Sequence, residues 1–454
     1  MKNFLLLSLT VAVSIITAKA TEPSGSLPVI YITTENNAEI TDTENYISAT
    51  FYIDAMSSGY ASTGTETSQV ALKIRGRGNT SWLNYDKKPY RIKLTVGQKL
   101  LGMSKSKNFA LMAYADDRHA FLRSTTGYKI SQLMNLAYTP DRRPVELILN
   151  GDYKGLYFLT EKISIDKDRV PITKQDDETT DASIIPGGWL LEIDNAESAE
   201  QVSITEGNGM TMRFTYKDPE ALSTEQTDYL MSQLNEMNNA IYNTDKTSTT
   251  WEQYIDIDTL ARFYIVQEVM DNTEAFHGST YLYKDRCASS NWNFGPVWDF
   301  ANSLRRTGQK FIYQDSPDTP QHWIAEIAKF PAFQSKVREL WADFYEKQYP
   351  SISPYLDSFI SAISSATTHD VQRWPSYGTS DTATRTAEFK ALLDARVAWL
   401  NEQWTGSGTE SIMTPDSHIQ PIYYNLQGIM VENPAKGNVY IKVQGNKAVK
   451  EYVK

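Results

Sequence analysis

The chain has 454 residues, 41% of them hydrophobic and 12% aromatic, and a formal charge of −11. That length buries a substantial core in one large domain with a smaller companion, and the negative balance argues against general nucleic-acid binding. A single cysteine, Cys287, excludes an internal disulfide and reads as a small buried filler. Five histidines with no His-x-x-x-His or Cys-x-x-Cys spacing argue against a zinc site.

Residues 1–20 read as a secretory signal: Lys2, an apolar run from Phe4 to Thr17, then Ala18-Lys19-Ala20 in small-x-small form. The run is short for a bilayer span, and no later stretch reaches the roughly 18 apolar residues a spanning helix needs. The expectation is therefore a secreted protein, periplasmic, surface-bound or extracellular, with no transmembrane segment.

From Ser26 to Ala71 short β-type runs, Val29–Ile32 and Ala49–Ile53, alternate with polar turns and predict an antiparallel start. Val70–Ile74 and Tyr90–Leu94 alternate with period two, so Val70, Leu72 and Ile74 face one way and Ala71, Lys73 and Arg75 the other. Asp116–Leu136 reads as a helix capped by Asp116 or Asp117. Val145–Leu149 and Gly155–Ile163 predict a hairpin around Asn150-Gly151, and Trp189–Ile193 another strand. Helical patterning follows over Ser223–Tyr242, Ile257–Met270 and most of Pro320–Trp404, the last reading as an appended helical layer. Residues 405–417 are linker-like, and strands over Ile422–Gly428 and Asn438–Val443 make residues 418–454 a small β-tail.

Between Ala71 and Lys93 the chain places seven basic residues against one acid, Asp86, inside an acidic protein. The same stretch carries Arg75-Gly76-Arg77-Gly78-Asn79, a turn whose backbone N–H groups can face an anion without obstruction by a Cβ. A polyphosphate needs such a local inversion of charge; a strand with a basic outer face beside an ordinary turn is the plainer alternative. It is not a Walker A loop. Glu161 ends an apolar strand and needs a cationic partner, for which Lys93 or Arg91 would serve, either as a structural ion pair or to hold a phosphate-binding lysine.

The stretch Glu268–Ser303 runs as helix end, polar turn at Asn272-Thr273-Glu274, strand Thr280–Lys284, Ser/Asn loop, then Gly295-Pro296-Val297-Trp298-Asp299-Phe300. That is the order in which kinase-like phosphotransferases present a hydroxyl-orienting acid and a metal-holding acid. Asp299, set between two aromatic residues, fits a fixed oxygen ligand for Mg²⁺ with Asn302 as a second; capping a turn before Ser303 is the alternative.

Taken together, Ile74–Trp82, Lys87–Leu94, Leu101-Gly102-Met103, Lys107-Asn108-Phe109, Leu122-Arg123, Val145–Tyr157 through Glu161, Tyr281–Asp285 and Gly295–Phe300 resemble the CotH family of atypical secreted kinases, in order, over roughly Pro28–Arg306. The resemblance implies an α+β, distorted protein-kinase-like fold with an N-terminal antiparallel sheet, a helical C-terminal portion and, beyond residues 21–404, the small β-tail. It implies transfer of the ATP γ-phosphate, with Mg²⁺ or Mn²⁺, to Ser or Thr of exported proteins. Arg75, Gly76, Gly78, Asn79, Lys88, Arg91, Lys93 and Glu161 would then hold the nucleotide, Glu274 and Asp299 would be catalytic, and Asp299 and Asn302 would hold the metal.

Two positions depart from the family pattern. Glu274 stands where Asp is usual, and Ala301 where Asp or Asn is usual; Asp271, on the same face if the helix continues, would substitute for the first. The alternative is therefore a catalytically inactive kinase-like module that binds protein or glycan. The tail, with Tyr424–Gly428, Asn433-Pro434, Lys436-Gly437 and Val439–Lys442, resembles short C-terminal β-domains of exported Bacteroidetes proteins, some of which are sorting signals.

Overall fold

The computed structural model describes residues 22–454 apart from 118–120, 195–196, 288–289, 306–308, 315–321, 378–380, 406–421, 425–429, 432–433, 445–446 and 453–454. The expected signal at 1–20 and nearly all of the expected linker lie outside the described residues. The chain forms two compact units, one ending at Ala398 and one beginning at Trp399.

The first unit opens with β1 (Val29–Thr34), β2 (Ile47–Asp54), β3 (Val70–Gly76), the one-turn α1 (Thr80–Asn84), β4 (Tyr90–Gln98) and β5 (Ser106–Met112). After α2 (Leu122–Leu133) come β6 (Arg142–Leu149) and β7 (Asp152–Glu161). These seven strands close into a barrel in the order β1-β2-β3-β4-β5-β7-β6. Every pairing is antiparallel except the seam, where β1 runs parallel to β6 with Val29 opposite Glu146. The expected α+β class holds, but where the N-terminal antiparallel sheet of a distorted kinase-like fold was expected, the strands close into a barrel. Closure follows from β5, a strand the sequence reading left out, which pairs with β4 on one side and β7 on the other.

Alternation places the side chains as predicted. Leu72, Ile74, Ile92 and Leu94 fill the barrel with Phe51, Phe109, Leu111 and Tyr157, while Lys73 and Lys93 are exposed on the outer face. The β6–β7 hairpin turns at Asn150-Gly151, and the Asn150 side-chain oxygen accepts from the Thr34 amide at 2.8 Å. Helix α2 starts six residues later than predicted, yet Asp117 still accepts from the Arg123 amide at 3.1 Å.

Beyond the barrel, β8 (Trp189–Ile193), β9 (Gln201–Thr205), β10 (Thr211–Asp218), α3 (Thr224–Ile241), α4 (Ile257–Val269), β11 (Thr280–Lys284) and β12 (Asn293–Phe294) follow. The strands form a second sheet in the order β12-β11-β8-β10-β9. Ser223 and Gln226 close a capping box on α3 and Asp256 caps α4, so both helices start where the sequence places them. Cys287 lies exposed in the loop after β11 rather than buried as filler.

Helices α5 (Ile324–Ile327), α6 (Pro331–Asp343), α7 (Ile352–Arg373) and α8 (Thr382–Thr405) complete the helical portion. They are not an appended layer. Asp370 of α7 makes a buried ion pair with Lys87 at 2.7 Å and accepts from the Leu156 amide of β7 at 2.9 Å. Arg396 of α8 pairs with the fully buried Glu268 of α4. The second unit holds β13 (Ile422–Tyr424), β14 (Met430–Val431), β15 (Val439–Gln444) and β16 (Lys447–Tyr452), an antiparallel sheet in the order β14-β13-β15-β16.

Candidate active site

A cavity of about 270 Å³ opens on the outer face of the barrel. Register builds its floor: Arg75 of β3 stands directly opposite Arg91 of β4, and Arg91 opposite Ala110 of β5. Two like charges facing each other across a ladder destabilise a sheet, and the small Ala110 leaves space in front of them. Arg77 and Lys162 also line the cavity, and no carboxylate does. The Nε atoms of Arg75 and Arg91 are buried with no hydrogen-bond partner among the described residues. Burial, with Arg75 and Arg77, holds Arg91 below its ordinary pKa, and burial together with Arg91 pushes Lys162 down to about 8. Buried guanidinium donors without acceptors, crowded by further cations, describe a seat for an anion with several negative oxygens.

The glycine turn forms one rim. Gly78 has φ +82° and its Cβ position is occupied by the Ser81 hydroxyl, so only glycine fits there. Gly78 and Asn79 both line the cavity. Gly76 lies beneath, its amide donating to the Asp42 carbonyl at 2.9 Å.

The opposite wall is Tyr281 of β11 and Trp298, and it leads to the acids. Arg77 lies over the Trp298 ring, 5.5 Å from its centroid. Tyr128 donates to the Trp298 carbonyl at 2.8 Å, and Phe300 is fully buried against Tyr128 and Gly127, where any Cβ would strike its ring. Asp299 is thus clamped from both sides. Its Oδ1 accepts from the Ala301 amide at 2.8 Å and its carbonyl accepts from Asn272 at 2.8 Å. The turn-capping and functional readings of Asp299 are compatible, because only one carboxylate oxygen serves the turn.

Glu274 sits beside it. Asn302 donates its amide to Glu274 Oε2 at 2.5 Å. Burial, and next the charge of Asp299, push Glu274 up to about 7. Asp116 is pushed up to about 6 by burial, Asp117 and Asp299, and its ion pair to Arg305 is loose at 3.6 Å. Among the described residues no three His, Cys, Asp or Glu side chains form a ready metal cage. Mutually repelling carboxylates do fit a divalent cation that brings its remaining oxygens from phosphates and water, the usual habit of Mg²⁺. Asp299, with the Asn302 side-chain oxygen, would hold it.

The structure brings together Arg75, Gly78, Asn79 and Arg91 at the cavity, and Glu274, Asp299 and Asn302 at the acids. Four other predicted residues stand elsewhere, among them Gly76, which is not part of the cavity lining. Lys93 is exposed on β4, opposite Lys73 and Asn108 and outside the cavity. Lys88 braces α1, donating to the Trp82 carbonyl at 2.5 Å. Glu161 is buried against the Ser104 amide at 3.0 Å, the Tyr138 hydroxyl at 2.8 Å and the Asp141 amide at 3.1 Å, and its cation is Arg169 at 3.9 Å, not Arg91 or Lys93. Asp271 does not substitute for Glu274: α4 ends before it, and its φ of +45° turns it inward toward Arg396, 3.7 Å away. The residue the sequence reading passed over is Lys162. Counting faces one step beyond Glu161 puts it on the cavity side of the strand.

The crowding of Glu274 has a measurable cost. Its folded pKa lies above the ordinary 4.5, so between that value and about 7 the native state binds more protons than the unfolded state. Stability is then highest at the acid end of the window and falls as pH rises through it. In urea titrations at about pH 5 and about pH 8, wild type should lose more stability on going to the higher pH than Glu274→Gln does. Equal losses would show that Glu274 is not burdened.

No helix among the described residues is long and apolar enough to cross a membrane. No curated protein matches the chain. A family model described as CotH kinase protein matches residues 74–400, from β3 through most of α8, and so takes in the cationic cavity, the acids and the helical portion. With well over half its length matched, the chain belongs to the CotH kinase family.

Proposed function

We propose that this chain is a secreted protein kinase that moves the γ-phosphate of ATP to Ser or Thr hydroxyls of exported proteins. The observation carrying this reading is the adjacency of a cavity lined by four cations and no carboxylate to a pair of crowded carboxylates, joined through Arg77, Trp298 and Asp299. Arg75, Arg77, Arg91 and Lys162 bind the phosphates, helped by the backbone at Gly78 and Asn79. Glu274 orients the acceptor hydroxyl and takes its proton. Asp299 and Asn302 hold a Mg²⁺ or Mn²⁺ ion, which when bound neutralises charge on the phosphates. Export rests on the signal-like residues 1–20, and the β-tail serves surface sorting.

Incubation with γ-labelled ATP and Mg²⁺ or Mn²⁺ should place label on Ser or Thr of the chain itself or of an added exported protein. The rate should rise with pH through about 7, as Glu274 loses its proton. A rate flat across that range removes Glu274 from the base role.

A second reading, a kinase-like module that binds protein or glycan without catalysis, draws on Ala301, which offers no side-chain oxygen, and on the Asn302 amide engaged by Glu274. Under it, wild type transfers no label. The double replacement Glu274→Asp, Ala301→Asp should then switch transfer on, since displacement by about 1 Å costs on the order of 10²-fold in rate.

A further inference from the structure

We propose that the site recognises its donor by the phosphates and is indifferent to the base, so that the purine and pyrimidine nucleoside triphosphates serve alike. The inference rests on the donor-binding reading above and names the donor class.

Three observations carry it. The first is charge: the cavity presents Arg75, Arg77, Arg91 and Lys162 with no carboxylate in its lining, and two guanidinium Nε donors have no acceptor among the described residues. Affinity is concentrated on negative oxygens, the part that all nucleoside triphosphates share. The second is size. A cavity of about 270 Å³ is below the ~300–1,000 Å³ of pockets that enclose a drug-sized ligand. It takes in the phosphate end of a nucleotide and leaves the base at its mouth.

The third is the closed barrel. A base is identified by hydrogen bonds to the donors and acceptors along its edge, and an unpaired strand edge is a ready source of such partners. Here β3 is paired with β2 and β4, β4 with β3 and β5, and β5 with β4 and β7. None of the three strands forming the cavity floor has a free edge. Of the neutral side chains in the lining that can hydrogen-bond, Tyr281 already spends its hydroxyl on Glu192, which leaves Thr43, Asn79 and the Trp298 indole N–H. The aromatic faces of Tyr281 and Trp298 stack on any base.

Transfer makes no demand on the base either. The bond between the γ-phosphorus and its bridging oxygen breaks, and a bond to the acceptor oxygen forms. The acceptor proton passes to Glu274, and a nucleoside diphosphate leaves.

The test measures binding of ATP, GTP, CTP and UTP to the full chain with Mg²⁺, by calorimetry, with inorganic tripolyphosphate as competitor. Dissociation constants within about tenfold of one another, with tripolyphosphate displacing all four, are expected; Arg91→Met should weaken all four by a similar factor. A preference for ATP above tenfold, or failure of tripolyphosphate to compete, overturns base indifference while leaving the donor site in place. Failure of all four to bind overturns both. Labelled transfer from γ-labelled GTP gives an independent check, and its absence beside transfer from ATP counts against the proposal.

Discussion

Asp299→Asn should abolish phosphotransfer, lowering the rate by on the order of 10³-fold, the scale on which one preorganised electrostatic contact in an active site acts. The substitution changes little else. The amide oxygen can still accept from the Ala301 amide, and Trp298 and Phe300 stay clamped by Tyr128, Arg77 and Gly127. What disappears is the charge. Labelled γ-phosphate transfer should therefore fall with the urea midpoint near that of wild type. Because Asp299 is the second cause, after burial, of the raised Glu274 pKa, the acid limb of any residual activity should move to lower pH. Full activity in a folded Asp299→Asn protein would remove Asp299 from the reaction.

The second large effect is on stability. Asp370→Ala should cost about 3–5 kcal/mol, the penalty for leaving one member of a buried pair without its partner. Lys87 is 1% exposed, lies 5.3 Å from the centroids of both Phe121 and Tyr157, and has Asp370 as its ion-pair partner. Burial pushes Lys87 down and Asp370 up, each partly held back by the other. Removing the carboxylate also strips the Leu156 amide of its acceptor. The expected result is a lower urea midpoint with an unchanged slope. Lys87→Met combined with Asp370→Leu should recover most of the loss, because the penalty belongs to the stranded charge. A single variant as stable as wild type would mean that α7 is not tied to the barrel through this pair.

Local chemistry was legible in the sequence and long-range pairing was not. Period-two counting placed Arg75, Arg91, Lys73 and Lys93 on the outer face, and Ser223 announced α3, because these features depend on neighbours a few residues apart. The same counting could not say that Arg75 and Arg91 meet an open cavity whereas Lys93 meets solvent. That difference is set by Ala110, on a strand the reading omitted, and by Trp298, from a loop far along the chain. Glu161 was recognised as needing a cation, but its partner, Arg169, comes from a later loop. The helical portion looked separable because its anchors, Asp370 and Arg396, are single charged residues in otherwise ordinary amphipathic helices.

The parallel seam between β1 and β6 bears on how the molecule assembles. Val29 emerges before its partner Glu146, so the ring of strands cannot be completed until the more than a hundred residues between them have appeared. Contacts so distant in sequence slow folding, since the entropy of closing the intervening loop is lost before the seam can form. A nascent chain would expose β1 as an unprotected edge throughout that interval.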